Sequence, residues 1–193
     1  VAGSDVMTLS IAISCIATPV SVIRNYEMIA LALASRDYTY TWFQRDRFMQ
    51  DLPHNYVVSA SAEGAKNVTV SAAGLPDLET AGPPQFGGPG DVWSPETMLV
   101  GAVANCFILS FRAIARKAKL DWLTLECEVE GELDKIEKFT QFSGFKVMAR
   151  LTITDEKYRK KADVILEKAE KYCLISNSMK APSHLEAEVI VAD

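Results

Sequence analysis

Apolar and polar positions follow regular periods from residue 54 onward. Tyr56 to Ala62 and Val68 to Ala72 alternate with a period of two, which predicts two short strands. Between them, Glu63-Gly64-Ala65-Lys66-Asn67 supplies the glycine and asparagine of a hairpin turn. A loop rich in glycine and proline follows, from Gly82 to Gly90. Ser94 then offers an N-cap hydroxyl and Pro95 suits the first helical position. From Met98 to Ile114 almost every residue is apolar or small, which predicts a helix apolar on all faces, central and buried. Its charges, Arg112, Arg116, Lys117 and Lys119, gather at the C-terminal end, where they complement the helix dipole.

Two longer alternating stretches come next. In Leu123 to Leu133, Leu125, Cys127, Val129 and Leu133 share one face against Glu126, Glu128, Glu130 and Glu132. In Phe145 to Ile153, Phe145, Val147, Ala149, Leu151 and Ile153 oppose Lys146, Met148, Arg150 and Thr152. A charged connection, Asp134 to Lys138, joins them, and the glutamate row is expected to pair with the Lys/Arg row across the strands. Thr154 or Asp155 caps a second helix with Tyr158, Ala162, Ile165, Leu166, Ala169 and Tyr172 in one stripe. Leu185 to Val191 alternates again and reads as a last strand. The order strands, central helix, strands, helix, strand predicts an α+β fold.

Residues 1–48 differ from this regular region. They begin with valine and contain an apolar run, Met7 to Ile23, that Pro19 interrupts and Arg24 closes. The run is short for a bilayer span, which takes roughly 20 apolar residues. It has no basic n-region or Ala-x-Ala cleavage site, so it fits a signal peptide badly. Met49 directly precedes the regular region, so the expectation is a natural start at Met49, an extension over 1–48 and one domain over 49–193.

Composition narrows the function classes. The chain has 193 residues, 49% hydrophobic and 23% charged, with a formal net charge of −5 and no dense Lys/Arg stripe. That balance argues against nucleic acid as the main partner, and no membrane partner is expected. Cys15, Cys106, Cys127 and Cys173 are scattered, with no CxxC and no Cys/His ligand spacing. The expected state is reduced thiols in a cytoplasmic protein without metal or cofactor; His54 and His184 are lone histidines.

Two thiols stand out. Cys106 lies in the apolar helix, beside Phe107, Leu109 and Phe111, which could wall a pocket or simply pack the core. Cys173 follows the second helix in Tyr172-Cys173-Leu174-Ile175-Ser176-Asn177, where the start of another helical turn would favour a thiolate. Burial alone raises a thiol's pKa, so a reactive Cys106 needs a cation or hydrogen-bond donor beside it. Cys127, in an alternating inward row, reads as an inert packing residue.

Ser94-Pro95-Glu96 at the head of an apolar helix, Cys106 ten residues after the glutamate and the much later Cys173 together resemble the OsmC/Ohr family. Phe86-Gly87-Gly88-Pro89-Gly90 and the segment Cys173 to Asn177 fit as well, and the resemblance covers about residues 54–192. It implies an intertwined α+β homodimer with active sites at the subunit interface, and a thiol peroxidase acting on small organic hydroperoxides. By the same resemblance Cys106 would be the peroxidatic cysteine, Cys173 the resolving one and Glu96 their acidic partner, with an external dithiol as reductant. The family's peroxidases carry an arginine in the N-terminal hairpin. This chain has none between Arg47 and Arg112, and its hairpin offers Lys66. A second reading is therefore a non-peroxidase member that binds a small hydrophobic or thiol-reactive ligand at the dimer interface. Ten helical residues rise roughly 15 Å, so if Glu96 and Cys106 serve one site, Glu96 comes from the partner subunit.

Overall fold

The computed structural model describes residues 50–192; the expectations for residues 1–48 and for Met49 fall outside them. The compact unit described below begins at Val57.

Two three-stranded sheets and one long helix make up this unit. The first sheet is a meander of β1 (Ser59–Ser61), β2 (Val68–Ser71) and β3 (Leu78–Thr80), each antiparallel to the next. The hairpin turn forms where glycine and asparagine predict it, with Gly64 in the left-handed region at φ 58°. β1 is shorter than the alternation suggests, because Val57 and Val58 stay exposed and pair with nothing in the unit. β3 was not legible, since three residues between Pro76 and Gly82 carry too little period to register.

The central helix α1 (Pro95–Ala118) starts and stops on local chemistry. Thr97 N–H donates to Ser94 Oγ at 3.2 Å, and Ser94 N–H donates to Thr97 Oγ1 at 2.8 Å. This is a reciprocal cap with threonine in the place a glutamate or glutamine often takes. At the other end Lys119 closes the helix in the left-handed region at φ 49°. α1 is less buried than its composition predicts. One stripe, Val103, Phe107, Phe111 and Ala115, is buried, and only 22% of its most apolar 18-residue stretch is covered within the chain. A single sheet can cover one side of a helix, so the opposite stripe, with Ala102, Asn105 and Leu109, has no neighbouring layer among the described residues.

The second sheet has the order β4 (Trp122–Ile136), β5 (Phe139–Ile153), β6 (Ser183–Val191). β4 and β5 form one long antiparallel hairpin closed by Glu137 and Lys138, with Glu137 at φ 56°. The stretch Asp134 to Lys138 is thus mostly strand and not a loop. β6 returns parallel to β5, with α2 (Arg159–Lys171) and the short α3 (Leu174–Asn177) as the crossover. Asp155 starts this crossover by accepting from Lys157 N–H at 2.9 Å, and it caps a single 3-10 turn before α2. Ala162, Ile165, Leu166 and Ala169 are buried, while Tyr172 leaves the expected stripe and is 58% exposed.

Glu126 and Glu130 do stand opposite Arg150 and Lys146 across β4 and β5. The ion pairs, however, form on the other side of β5. Lys146 reaches Glu186 at 2.9 Å and Arg150 reaches Glu188 at 3.1 Å, both on β6. With β5 in the middle, its two cations can lean either way; on the parallel neighbour Glu188 stands opposite Arg150, and Glu186 lies two residues past His184, the residue opposite Lys146. All these groups are exposed, so the pairs add little to stability.

Gly131 is where the sheet and α1 come closest. A Cβ there would lie 2.8 Å from Val100 Cγ2 and 2.9 Å from Phe142 Cε1. The inner row of β4 carries glycine at this point because the helix side chain occupies the space.

Candidate thiol site and the cavities beside Glu96

Cys106 and Cys173 meet, although they are far apart in sequence. Cys173 is fully buried at the α2–α3 junction, its N–H donating to the Glu170 carbonyl at 3.1 Å and its carbonyl accepting from Asn177 N–H at 3.0 Å. The Cys106 thiol on α1 and the Ser176 hydroxyl and N–H lie near enough to act on the proton affinity of Cys173. The expected gain from a helix start is outweighed here. Burial pushes the Cys173 thiol up first, the hydrogen bonds from Ser176 pull it back, and the Cys106 neighbour pushes it up again. Cys173 is therefore a protonated thiol poised against Cys106.

A third thiol lies nearby. Burial, with Cys173 adding to it, pushes Cys127 up to about 11 from the ordinary thiol value of 9.0. At neutral pH it stays protonated and is a poor nucleophile, as its place in the inward row suggested. The sign for stability follows. The unfolded chain gives up this proton near pH 9 and the folded chain near 11, so the unfolded state binds fewer protons in that window and stability falls as pH rises through it. Cys127→Ala should flatten this slope between pH 9 and 11 in urea unfolding. A slope equal to wild type would show that the thiol does not titrate as its environment requires.

Phe107 and Phe111 do not wall a pocket. Both are buried in the core, and Phe111 meets the Trp122 ring edge-on at 5.2 Å between centroids. Leu109 points away from that core and is 39% exposed.

Glu96 is not brought to Cys106 within the chain. α1 is unbroken between them, which keeps them about 15 Å apart along the axis. Glu96 instead stands between two cavities. One, of about 670 Å³, opens between α1 and the β4–β5 hairpin, with Val100, Gly101, Val129, Leu133 and Phe142 in its wall. The other, of about 690 Å³, lies between the start of α1 and the first sheet, against Ala60, Val68, Val70 and Met98. The Glu96 Oε2 atom is buried and has no hydrogen-bond partner among the described residues. Lys66 lies in neither wall. Its ammonium pairs with Glu63 at 2.9 Å in the exposed hairpin turn, because that carboxylate is three residues away and nothing else competes for it there.

These features can be set beside known proteins. The chain is 27% identical over 144 residues to the uncharacterized protein YmaD of Bacillus subtilis (strain 168), covering 72% of this chain and 95% of that protein. Its fold is similar to that of an OsmC-like protein of unknown function from Vibrio cholerae O1 biovar eltor, with a TM-score of 0.64 at 17% identity over 72% of this chain and 100% of the other. An organic hydroperoxide resistance protein OsmC from Legionella pneumophila is similar at a TM-score of 0.59 and 24% identity, over 73% and 100% of the two chains. At these identities the likeness to the solved structures is one of fold. Residues 88–188 match the family described as OsmC-like protein, a stretch that holds both Cys106 and Cys173, and the chain belongs to that family.

Proposed function

We propose that the protein is a thiol-dependent peroxidase that reduces small organic hydroperoxides with the Cys106–Cys173 couple. The observation that carries this reading is the contact between the two thiols, which the fold assembles from α1 and the distant α2–α3 junction. The Cys106 thiolate attacks the O–O bond of the hydroperoxide and takes the hydroxyl oxygen, becoming a sulfenic acid, while the alkoxide leaves and is protonated to the alcohol. The Cys173 thiol then condenses with the sulfenic acid to a disulfide and releases water. An external dithiol exchanges with that disulfide, returns both cysteines to thiols and leaves oxidised. Such a cycle suits a reducing compartment such as the cytoplasm.

The working unit in this reading is a homodimer. The stripe of α1 with Ala102, Asn105 and Leu109 has no layer over it among the described residues, and a second copy of the same stripe would cover it. An antiparallel crossing of two copies near Gly101, midway between Glu96 and Cys106, sets each subunit's Glu96 beside the partner's Cys106. The same arrangement accounts for the buried, unpartnered Glu96 oxygen.

The apolar cavities beside Glu96 support a second reading, a member of the family that binds a small hydrophobic or thiol-reactive ligand without turning it over. Thiol titration separates the two. One equivalent of cumene hydroperoxide should remove two thiols within seconds in wild type and none in Cys106→Ser. Unchanged wild-type thiols over minutes would rule out the peroxidase and leave the binder.

A further inference from the structure

A half-buried thiol reacts quickly only where a cation favours its thiolate, because burial alone favours the neutral form. Lys66 is held by Glu63 in an exposed turn and borders neither cavity. The strands that face Glu96 from the first sheet present Ala60, Val68 and Val70, which carry no charge. On the other side of Glu96 the situation differs. Lys135 lines the 670 Å³ cavity and is the one cation in the wall of either cavity.

The position of Lys135 breaks the local pattern. Alternation along β4 sets Val129, Gly131, Leu133 and Lys135 on one face, the face that turns toward α1. Lysine thus stands at the end of a row that is otherwise apolar or glycine, opposite Thr140 on β5. Lys135 is itself exposed, and its neighbour Asp134 lines the same cavity. At the closed side of the same cavity is a carboxylate oxygen, Glu96 Oε2, that is cut off from water with no donor among the described residues.

We propose that Lys135 supplies the cation of the thiol site: steadied by Glu96 across their shared cavity, its ammonium reaches the partner's Cys106 and favours the thiolate. This rests on the two-subunit site described above. It assigns to the β4–β5 hairpin the charge that the N-terminal hairpin lacks. It also makes Lys135 a determinant of which ligands enter, since the ammonium is the one cation in a wall that combines Val100, Val129, Leu133 and Phe142 with the carboxylates of Glu96 and Asp134, and it favours a polar head on an apolar body.

The test is the alkylation rate of Cys106 by iodoacetamide at pH 7 in the full chain, read residue by residue by mass spectrometry. The reagent is neutral and reacts with thiolate, so the rate follows the thiolate fraction. Lys135→Met should slow Cys106 about tenfold, the low end of what an opposite charge within about 4–6 Å confers. Cys127 should keep its wild-type rate, Lys135→Arg should restore most of the Cys106 rate, and Lys66→Met should change nothing. Wild-type alkylation in Lys135→Met overturns the proposal, as does slowing that appears in Arg112→Met instead. No hydroperoxide is present, so a protein that fails to reduce peroxides does not affect this outcome, and a failed Lys135 test leaves the thiol couple standing.

Discussion

Hybrid dimers with Cys106→Ser in one subunit and Glu96→Gln in the other are expected to keep half of the wild-type rate of hydroperoxide consumption. In the crossed arrangement the Glu96→Gln subunit contributes an intact Cys106, which faces the intact Glu96 of its partner. The opposite site combines a serine with a glutamine and is silent. Each homodimeric variant is silent at both sites, or nearly so. The unbroken helix between Glu96 and Cys106 makes this a strong prediction, because a carboxylate about 15 Å away along the axis cannot serve a sulfur on its own chain. Hybrids carrying two different affinity tags can be purified away from the homodimers and assayed directly. A hybrid no more active than the two parents would mean that Glu96 serves its own chain, and the crossed site would have to be abandoned.

Phe111→Ala is expected to be the most damaging of the core truncations. The side chain is completely buried on α1, contacts Trp122 at the start of β4 and sits in the cluster that joins the helix to the second sheet. Removing a buried phenylalanine costs about 3–5 kcal/mol, through lost transfer energy and the cavity left behind. The edge-on contact with Trp122 adds to this. Against a typical total of about 5–15 kcal/mol, the variant should retain little margin. Urea unfolding followed by tryptophan fluorescence would measure the loss. A loss below about 1 kcal/mol would show that the surrounding side chains collapse into the space and that the packing is looser than the structure has it.

The elements with long, clean periods were legible in the sequence. The glutamate rows of β4, the inward row of β5 and the stripe of α2 needed only the alternation or helical spacing of their own residues. So did the start of α1, where Ser94 and Pro95 announce a cap. What the sequence withheld depends on other segments. The parallel return of β6 cannot be inferred from Leu185 to Val191, because direction is set by the crossover and not by the strand. The bare stripe of α1 was hidden by its uniform composition, since apolar residues on all faces say nothing about which face the chain itself covers. At the site, the contact of Cys106 with Cys173 was expected from the resemblance, and the position of Glu96 from helical rise. The role of Lys135 was not visible, because a lysine in a charged stretch near a hairpin tip looks like an ordinary solvated residue. Only the alternation from Gly131 through Leu133, continued by the hairpin's true length, sets the exposed Lys135 on the face that lines the cavity. One weak signal was present: that alternating row does not stop at Leu133 if Asp134 to Ile136 continue the strand.

The parallel crossover between β5 and β6 also sets the order in which this chain can become redox-competent during synthesis. Cys106 leaves the ribosome with α1, well before Cys173. Its partner takes its place only when α2 and α3 have packed and β6 has come back along β5. Pairings over such long stretches of chain are slow to form compared with the local β4–β5 hairpin. In the proposed cycle, a partly made or partly folded chain therefore carries Cys106 without its resolving partner, and any sulfenic acid formed there has no internal route to a disulfide. In the proposed couple, formation of the Cys106–Cys173 disulfide is thus a chemical marker that the α2–α3 junction has packed against α1.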